Sequence, residues 1–411
     1  MRRSLFLVSV ALVLSATTLL SEPFYTKRKT NALREGAGAY YSLVGSVAEN
    51  TALIVLDRAG SWVKVQLPNK QVGWMAANSL KEGKSDYTAA TPPSAMWSSP
   101  KALSAAIKGF GKKYGKGEPG IVDSVLRYSE KGFSSEELAI FAKEVRENPS
   151  ANRGRVQIED LDLPAPEYSA DLPEREIGVD IAARIAGKGI VRDKSLRRYV
   201  NMVCATIVET SALYDVDLTV LVLNDRMVNA FAVPGGYVFV TLGLVEQCRD
   251  ESELAGVIAH EIAHVYRRHG LQEMSKRIAG IRADAAFGEL EEEVGEPTEE
   301  EKDLEALVDQ TYEKVVHPRL LSYEIEADRI GAILAANAGY DPFGLVRISE
   351  RVARVSTEAP DIFDADYMLP GDAVTRAREI RAFAEKRFTT ERPGEQMTGR
   401  FAAATLPVRG K

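Results

Sequence analysis

The chain contains only four histidines, and two of them stand four residues apart in the stretch Glu253-Leu-Ala-Gly-Val-Ile-Ala-His260-Glu261-Ile-Ala-His264-Val-Tyr266. Residues four apart on an α-helix are offset by only about 40°, so both imidazoles project from one face and can share a tetrahedral zinc ion. Glu261 is placed as general base: its carboxylate takes a proton from the water that zinc activates and delivers it to a leaving amine. Leu254, Val257, Ile258, Ile262 and Val265 fill the flanking face. The helix is therefore expected to be buried, with histidines standing where charge is costly without a metal. The competing explanation, a pair of core histidines, must draw this spacing by chance from four.

A catalytic zinc takes three protein ligands and keeps one position open, so a third ligand has to come from elsewhere. His269 lies five residues after His264, about 140° around a continuing helix. Gly270 is also out of register for an H-x-x-G-x-x-H extension. The better candidate is Glu324 in Ser322-Tyr-Glu324-Ile-Glu-Ala-Asp328, which opens an apolar helix through Ile330, Ile333 and Leu334. Its E-x-x-x-D spacing puts both acids on one face. Glu324 can then bind the metal while Asp328 accepts the free N–H of a ligand histidine and fixes its tautomer. His317, just before this helix, is the substitute ligand should Glu324 fail.

These residues need a scaffold. From Glu174 onward helical periodicity dominates, with Ile177, Ile181 and Ile185, then Tyr199, Val203 and Ile207, on recurring faces. Leu218–Leu223 and Phe231–Val240 read as two strands of a small sheet, with Pro234-Gly235-Gly236 as a bend. Before this, Ser134-Ser-Glu-Glu137 forms a capping box opening a helix. Residues 24–80 differ in kind: Thr51–Leu56 and Trp62–Leu67 alternate as strands, with Gly60 and Pro68-Asn69 as turns. Thr91-Pro-Pro-Ser94 marks a linker, and the Glu-rich run 289–301 a solvated face.

At 411 residues and 45% hydrophobic content the chain is long enough for two packed units. Its net charge of −7, with no dense Lys/Arg stripe, excludes nucleic acid as an expected partner. Met1-Arg2-Arg3 followed by an uncharged run from Leu5 to Leu20 reads as an export signal. No A-x-A site follows cleanly, which leaves an uncleaved membrane anchor open, and with it the one expected membrane contact. The two cysteines, Cys204 and Cys248, are read as buried thiols, with a disulfide as the alternative.

Ala32-Leu-Arg-Glu-Gly-Ala-Gly38, Gly60-Ser-Trp-Val-Lys-Val65 and Gly73-Trp-Met75 together resemble a bacterial SH3-like domain. Such a module implies a peptide or cell-wall ligand, for which Tyr40 and Tyr41 are the open candidates; Trp62 and Trp74 are expected in the barrel core. From about Glu174 to Phe383 the chain resembles the HtpX and CAAX-prenyl-endopeptidase zinc peptidases, gluzincins of peptidase family M-forty-eight. The matching stretches are Glu174–Gly178, Tyr199-Val-Asn201, Val228–Thr241, His260–Gly270, Glu324–Gly331 and Gly339-Tyr-Asp-Pro342. The resemblance implies an endopeptidase whose substrate adds as a strand near Asn229, Ala230 and Phe231, continuing to Val233. Members often carry Thr-His-Pro followed by an Arg. Here Tyr367-Met-Leu-Pro370 precedes Arg376, so capping of the metal by that His is not expected, while Arg376 is a candidate for holding the transition state or a loop.

The expected architecture is thus multidomain: a small all-β SH3-like barrel and a mainly α, α+β gluzincin domain with a small sheet. The segments are a signal or anchor (1–21), the SH3-like domain (24–82), a linker (83–97), a helical or irregular connector (98–172), the metallopeptidase domain (173–390) and a tail (391–411). The expected activity is zinc-dependent endoproteolysis, one zinc per chain, on unfolded or misassembled proteins of the periplasm or cell envelope. Two rivals differ in class: a chaperone-like peptide binder with structural zinc, and a cell-wall hydrolase.

Overall fold

A computed structural model describes residues 24–27, 30–41, 43–82, 132–147, 174–187, 189–211, 217–270, 272, 320–365, 368–388 and 396–407. The export segment, the 83–97 linker, most of the connector, the Glu-rich run, His317 and Tyr367 lie outside them.

The N-terminal module is one antiparallel sheet of strands β1 (Phe24–Thr26), β2 (Thr30–Arg34), β3 (Leu43–Ala48), β4 (Ala52–Ala59), β5 (Trp62–Gln66), β6 (Val72–Ala76) and β7 (Leu80–Glu82), in the order β3-β2-β6-β5-β4-β1-β7. Alternation gives it a core of its own, built on Leu33, Val47, Leu53, Val63, Val65, Leu67 and Met75. The two tryptophans are not in that core, contrary to expectation. Trp62 is buried with Ala39 and Ala76 in the larger apolar cluster of the helical region, and Trp74 packs against that cluster from outside. A barrel this small has no room for two indoles, so they face the neighbouring domain.

Tyr40 and Tyr41, expected to be open to a ligand, are likewise turned inward. Their rings lie 4.4 Å apart, and the Tyr41 hydroxyl is hydrogen-bonded to Ser135 Oγ. Glu209 Oε1 accepts the Ala39 N–H at 2.9 Å. Arg34, with no exposed surface, reaches Asp217 Oδ1 at 2.8 Å. The β2–β3 loop is thus a dock onto the helical domain. An isolated buried guanidinium would be costly, so this pairing ties the two units together.

The helical region comprises α1 (Ser135–Arg146), α2 (Glu174–Ala186), α3 (Lys194–Val208), β8 (Thr219–Leu223), β9 (Ala230–Val233), β10 (Tyr237–Thr241), α4 (Leu242–Gln247), α5 (Glu251–Arg267), α6 (Leu321–Ala338), α7 (Phe343–Glu358), α8 (Pro370–Arg387) and α9 (Thr398–Thr405). The Ser134–Glu137 capping box at α1 forms as its sequence predicts. In the small sheet β10 pairs in parallel with β8 and antiparallel with β9, leaving β9 at the edge. Pro234–Gly236 turns one strand into the other.

Helix α5 is the axis of this domain, buried at every residue from Glu251 to Val265. Its acidic first turn survives burial because each carboxylate is paired. Glu251 accepts from Tyr199 at 2.9 Å, Tyr340 at 2.8 Å and Arg400 Nε at 2.7 Å; Glu253 accepts from Arg351 at 2.6 and 3.1 Å. Small residues let the neighbours approach. A Cβ on Gly331 of α6 would sit 2.8 Å from the His260 backbone nitrogen, and one on Gly256 of α5 would sit 2.9 Å from Leu345 of α7. Any larger residue at Gly331 would push α6 away from the very turn that carries His260.

Candidate metal centre

The α5 sequence predicts a helix presenting two histidines on one face, and the structure places them so, with His260 Nε2 3.1 Å from His264 Nε2. Close contact of α6 with α5 at Gly331 delivers Glu324, one turn into α6 and buried. Its Oε2 lies 3.3 Å from His260 Nε2 and its Oε1 3.3 Å from His264 Nε2. Ligand atoms about 2.0–2.1 Å from a tetrahedral ion are about 3.3–3.4 Å apart, and the two imidazole nitrogens, and each with one Glu324 oxygen, stand near that spacing. Neither Glu324 oxygen has an aligned hydrogen-bond donor, although Arg376 Nη1 approaches Oε2 as an ion pair at 2.7 Å. A buried carboxylate aimed between two imidazole nitrogens fits a divalent metal ion. Among the described residues His260, His264 and Glu324 are the group able to hold one. Glu261 points its Oε1 to within 3.9 Å of His260 Nε2, at the edge of the same cluster.

The remaining nitrogens are also engaged. Asp328 Oδ1 lies 2.8 Å from His260 Nδ1, the arrangement that leaves Nε2 free for a metal. Arg376, from α8, grips Asp328 with two N–H groups, Nε to Oδ2 at 3.0 Å and Nη2 to Oδ1 at 2.8 Å. Sequence reasoning picked out Arg376 for a transition-state or loop role. Its observed partners are Glu324 and Asp328, with the His260 ring nitrogens 3.3 and 3.4 Å from Nη2 and Met368 Sδ 3.6 Å from Nη1.

Electrostatics follow from this packing. Burial and the Arg376 charge press the His260 pKa down, but Asp328 and Glu324 outweigh them and raise it to about 9. Burial works against ionised Glu324, yet Arg376 and His264 hold its carboxyl well below the usual range. Asp328 is likewise lowered, against burial, by Arg376 and His260. The two carboxylates are thus held ionised beneath the imidazoles by the positive groups around them.

A cavity with about 640 Å³ of empty space, counting its mouth, opens directly onto His260, Glu261 and Glu324. Its other walls are mostly apolar, among them Val257, Leu345, Ile348, Val352 and Phe363. Val228, Asn229 and Ala230 line it from the strand side. Asn229 is already committed there: Thr241 takes its backbone N–H and donates to its carbonyl, and its side chain donates to Asp364 Oδ2 at 2.8 Å. Asn229 therefore fixes the 363–364 wall, while Ala230 and Phe231 lie in the edge strand itself, where Phe231 stacks on Phe239 at 5.2 Å.

His269 does not follow the helical projection. The helix ends at Arg267 and Arg268 is left-handed (φ 53°, ψ 38°), so the chain turns back and His269 Nδ1 comes 2.9 Å from His264 Nδ1. A helical wheel continued past Arg267 cannot show this contact, because the left-handed backbone at Arg268 breaks it. Cys204 and Cys248 are both buried thiols, not joined to each other.

Residues 193–384 match the model of Peptidase family M48, and residues 30–81 that of the Bacterial SH3 domain. The chain is 28% identical over 218 residues to the beta-barrel assembly-enhancing protease of Escherichia coli, covering 51% of this chain and 44% of that one. It is 32% identical over 150 residues to the mitochondrial metalloendopeptidase OMA1 of Arabidopsis thaliana, covering 36% and 29%. A Schizosaccharomyces pombe protein of the same name is 32% identical over 156 residues, covering 38% and 43%. The chain thus spans less than half the length of these relatives.

Proposed function

With a family M48 segment enclosing the cluster just described, we propose that this chain is a zinc-dependent endopeptidase in which His260, His264 and Glu324 hold the metal and Glu261 is the general base. The observation that carries the proposal is the 3.1–3.3 Å spacing of three buried donors with Glu261 beside them. Zinc held there supplies Lewis acidity, activating water and polarising a scissile carbonyl. Glu261 takes the proton of the attacking water and returns it to the leaving nitrogen. Asp328 holds the His260 ring with its metal-facing nitrogen unprotonated, and Arg376 holds both Asp328 and Glu324 in place. Substrate lies extended along β9, Ala230–Val233, as an added strand, where backbone pairing gives affinity with little demand on sequence.

The natural substrates we assign are unfolded or misassembled envelope proteins, met after export through the N-terminal segment. The beta-barrel assembly-enhancing relatives support this choice, as does an active cavity whose apolar walls suit side chains that a folded protein would bury. The N-terminal module, docked through its β2–β3 loop, is left with its outer strands as the face for any peptide or wall ligand. Cleavage of unfolded casein tests the activity. Chelation should abolish it and stoichiometric zinc restore it; cleavage indifferent to chelator would remove the metal from the mechanism.

A further inference from the structure

The two metal-facing imidazoles are positioned by different means. His260 has a carboxylate, Asp328, behind its ring. Among the described residues the partner at His264 Nδ1 is another imidazole, His269, at 2.9 Å. The approach is made possible by the left-handed backbone at Arg268, which ends α5 and folds the next residue beneath the last turn. Only about 2% of His269 is exposed.

The first turns of α6 hold His269 from two sides. Tyr323 stacks flat on its ring, centroids 4.3 Å apart and planes 10° from parallel. Glu326 Oε1 lies 3.5 Å from its Nε2 and is itself paired with Arg267. Tyr323 and Glu326 flank Glu324, so the same turns that supply the acidic ligand also fix this second histidine.

Proton placement follows from the geometry. The Nε2 of His264 faces His260 Nε2 and Glu324, and it must present a lone pair to bind a metal. Its proton is then on Nδ1. Two Nδ1 atoms 2.9 Å apart share one proton, so His269 Nδ1 is the acceptor. His269 then carries its own proton on Nε2, on the side where Glu326 Oε1 lies 3.5 Å away.

We propose that His269 is a positioning residue for the metal centre: by accepting the Nδ1 proton of His264 it fixes the tautomer and ring orientation that let His264 bind zinc. The proposal rests on the reading of His264 as a zinc ligand. It assigns no contact between His269 and the metal or the substrate. Outer partners of ligand histidines contribute about 10–100-fold in metal affinity, and the same range is expected here.

Two substitutions separate this role from packing. His269→Phe keeps a ring to stack on Tyr323 but removes the acceptor; His269→Asn removes the ring but puts an amide oxygen near the position of Nδ1. Zinc affinity is measured by competition with a chromophoric chelator on full-length wild type and both variants, alongside thermal unfolding of the metal-free proteins. The expected result is a loss of about 10-fold or more in zinc affinity for His269→Phe and near-wild-type affinity for His269→Asn. Wild-type affinity in His269→Phe would overturn the proposal, as would an equal loss in both variants. Should His269→Phe fail to fold, His269→Asn decides alone: retained affinity supports the acceptor role and a 10-fold loss rejects it. A wild type that takes up no zinc would instead overturn the metal centre itself, and this inference with it.

Discussion

Asp328 Oδ1 stands 2.8 Å from His260 Nδ1 while both of its oxygens are gripped by Arg376. One carboxylate therefore joins α5, α6 and α8 at the candidate metal centre. Its two tasks can be separated: Asp328→Asn keeps an acceptor for His260 N–H but discards the charge that Arg376 requires. Zinc affinity should fall by about 10-fold or more and proteolysis with it. A variant that binds zinc as wild type does would show that the hydrogen bond alone suffices.

Arg376 faces two buried carboxylates, and removing it takes from each the largest favourable charge it meets. Arg376→Met should cost about 3–5 kcal/mol of stability in the metal-free protein. Zinc restores a positive charge beside Glu324, so the deficit should narrow when the metal is added. Thermal unfolding with and without zinc checks this; an equal deficit in both states would mean that Arg376 acts through packing alone.

The apolar cavity beside Glu261 predicts a preference for a large apolar side chain next to the scissile bond. Peptides with Phe or Leu there should show kcat/KM about tenfold or more above those with Ala. Ser349 lines this cavity from a partly exposed position on α7. Ser349→Phe should fill it and compress that ratio toward one. An unchanged ratio would place the side-chain subsite elsewhere.

Glu209 receives the Ala39 N–H at the dock between the two domains, and burial raises its pKa against the pull of that N–H and of Arg146. A carboxyl raised in the folded state stabilises fully below its unfolded value, near 4.5, and loses that contribution as pH rises through the folded value. At pH 7 the ionised group is a net cost. Glu209→Gln, still an acceptor, should raise the melting temperature at pH 7, with the gain vanishing below about pH 4.5. A gain that persists at pH 4 would assign the effect to something other than charge.

Much of the centre was legible because its periodicities are local. Four-residue spacing places His260 with His264 and Glu324 with Asp328 whatever the rest of the chain does. The β module could be read from alternation and turn residues for the same reason. What the sequence hid depends on non-local packing or on a single backbone angle. Arg376 stands out only through the resemblance to a family pattern, and its grip on Asp328 and Glu324 appears once α8 is laid against α6. His269 projects away from the site on any helical wheel, and only the left-handed Arg268 returns it. Trp62, Tyr40 and Tyr41 have the composition of a ligand groove or a barrel core, and nothing local reveals that a second domain covers them.

The central claim is that a metal held by His260, His264 and Glu324 works with Glu261 as the base. The most direct test measures zinc content and casein hydrolysis on the same samples of wild type and Glu261→Gln. Glu261 is not a ligand, so the variant should hold one zinc per chain, as wild type does, and cleave at least about 100-fold more slowly. Equal cleavage at equal zinc content would contradict the account.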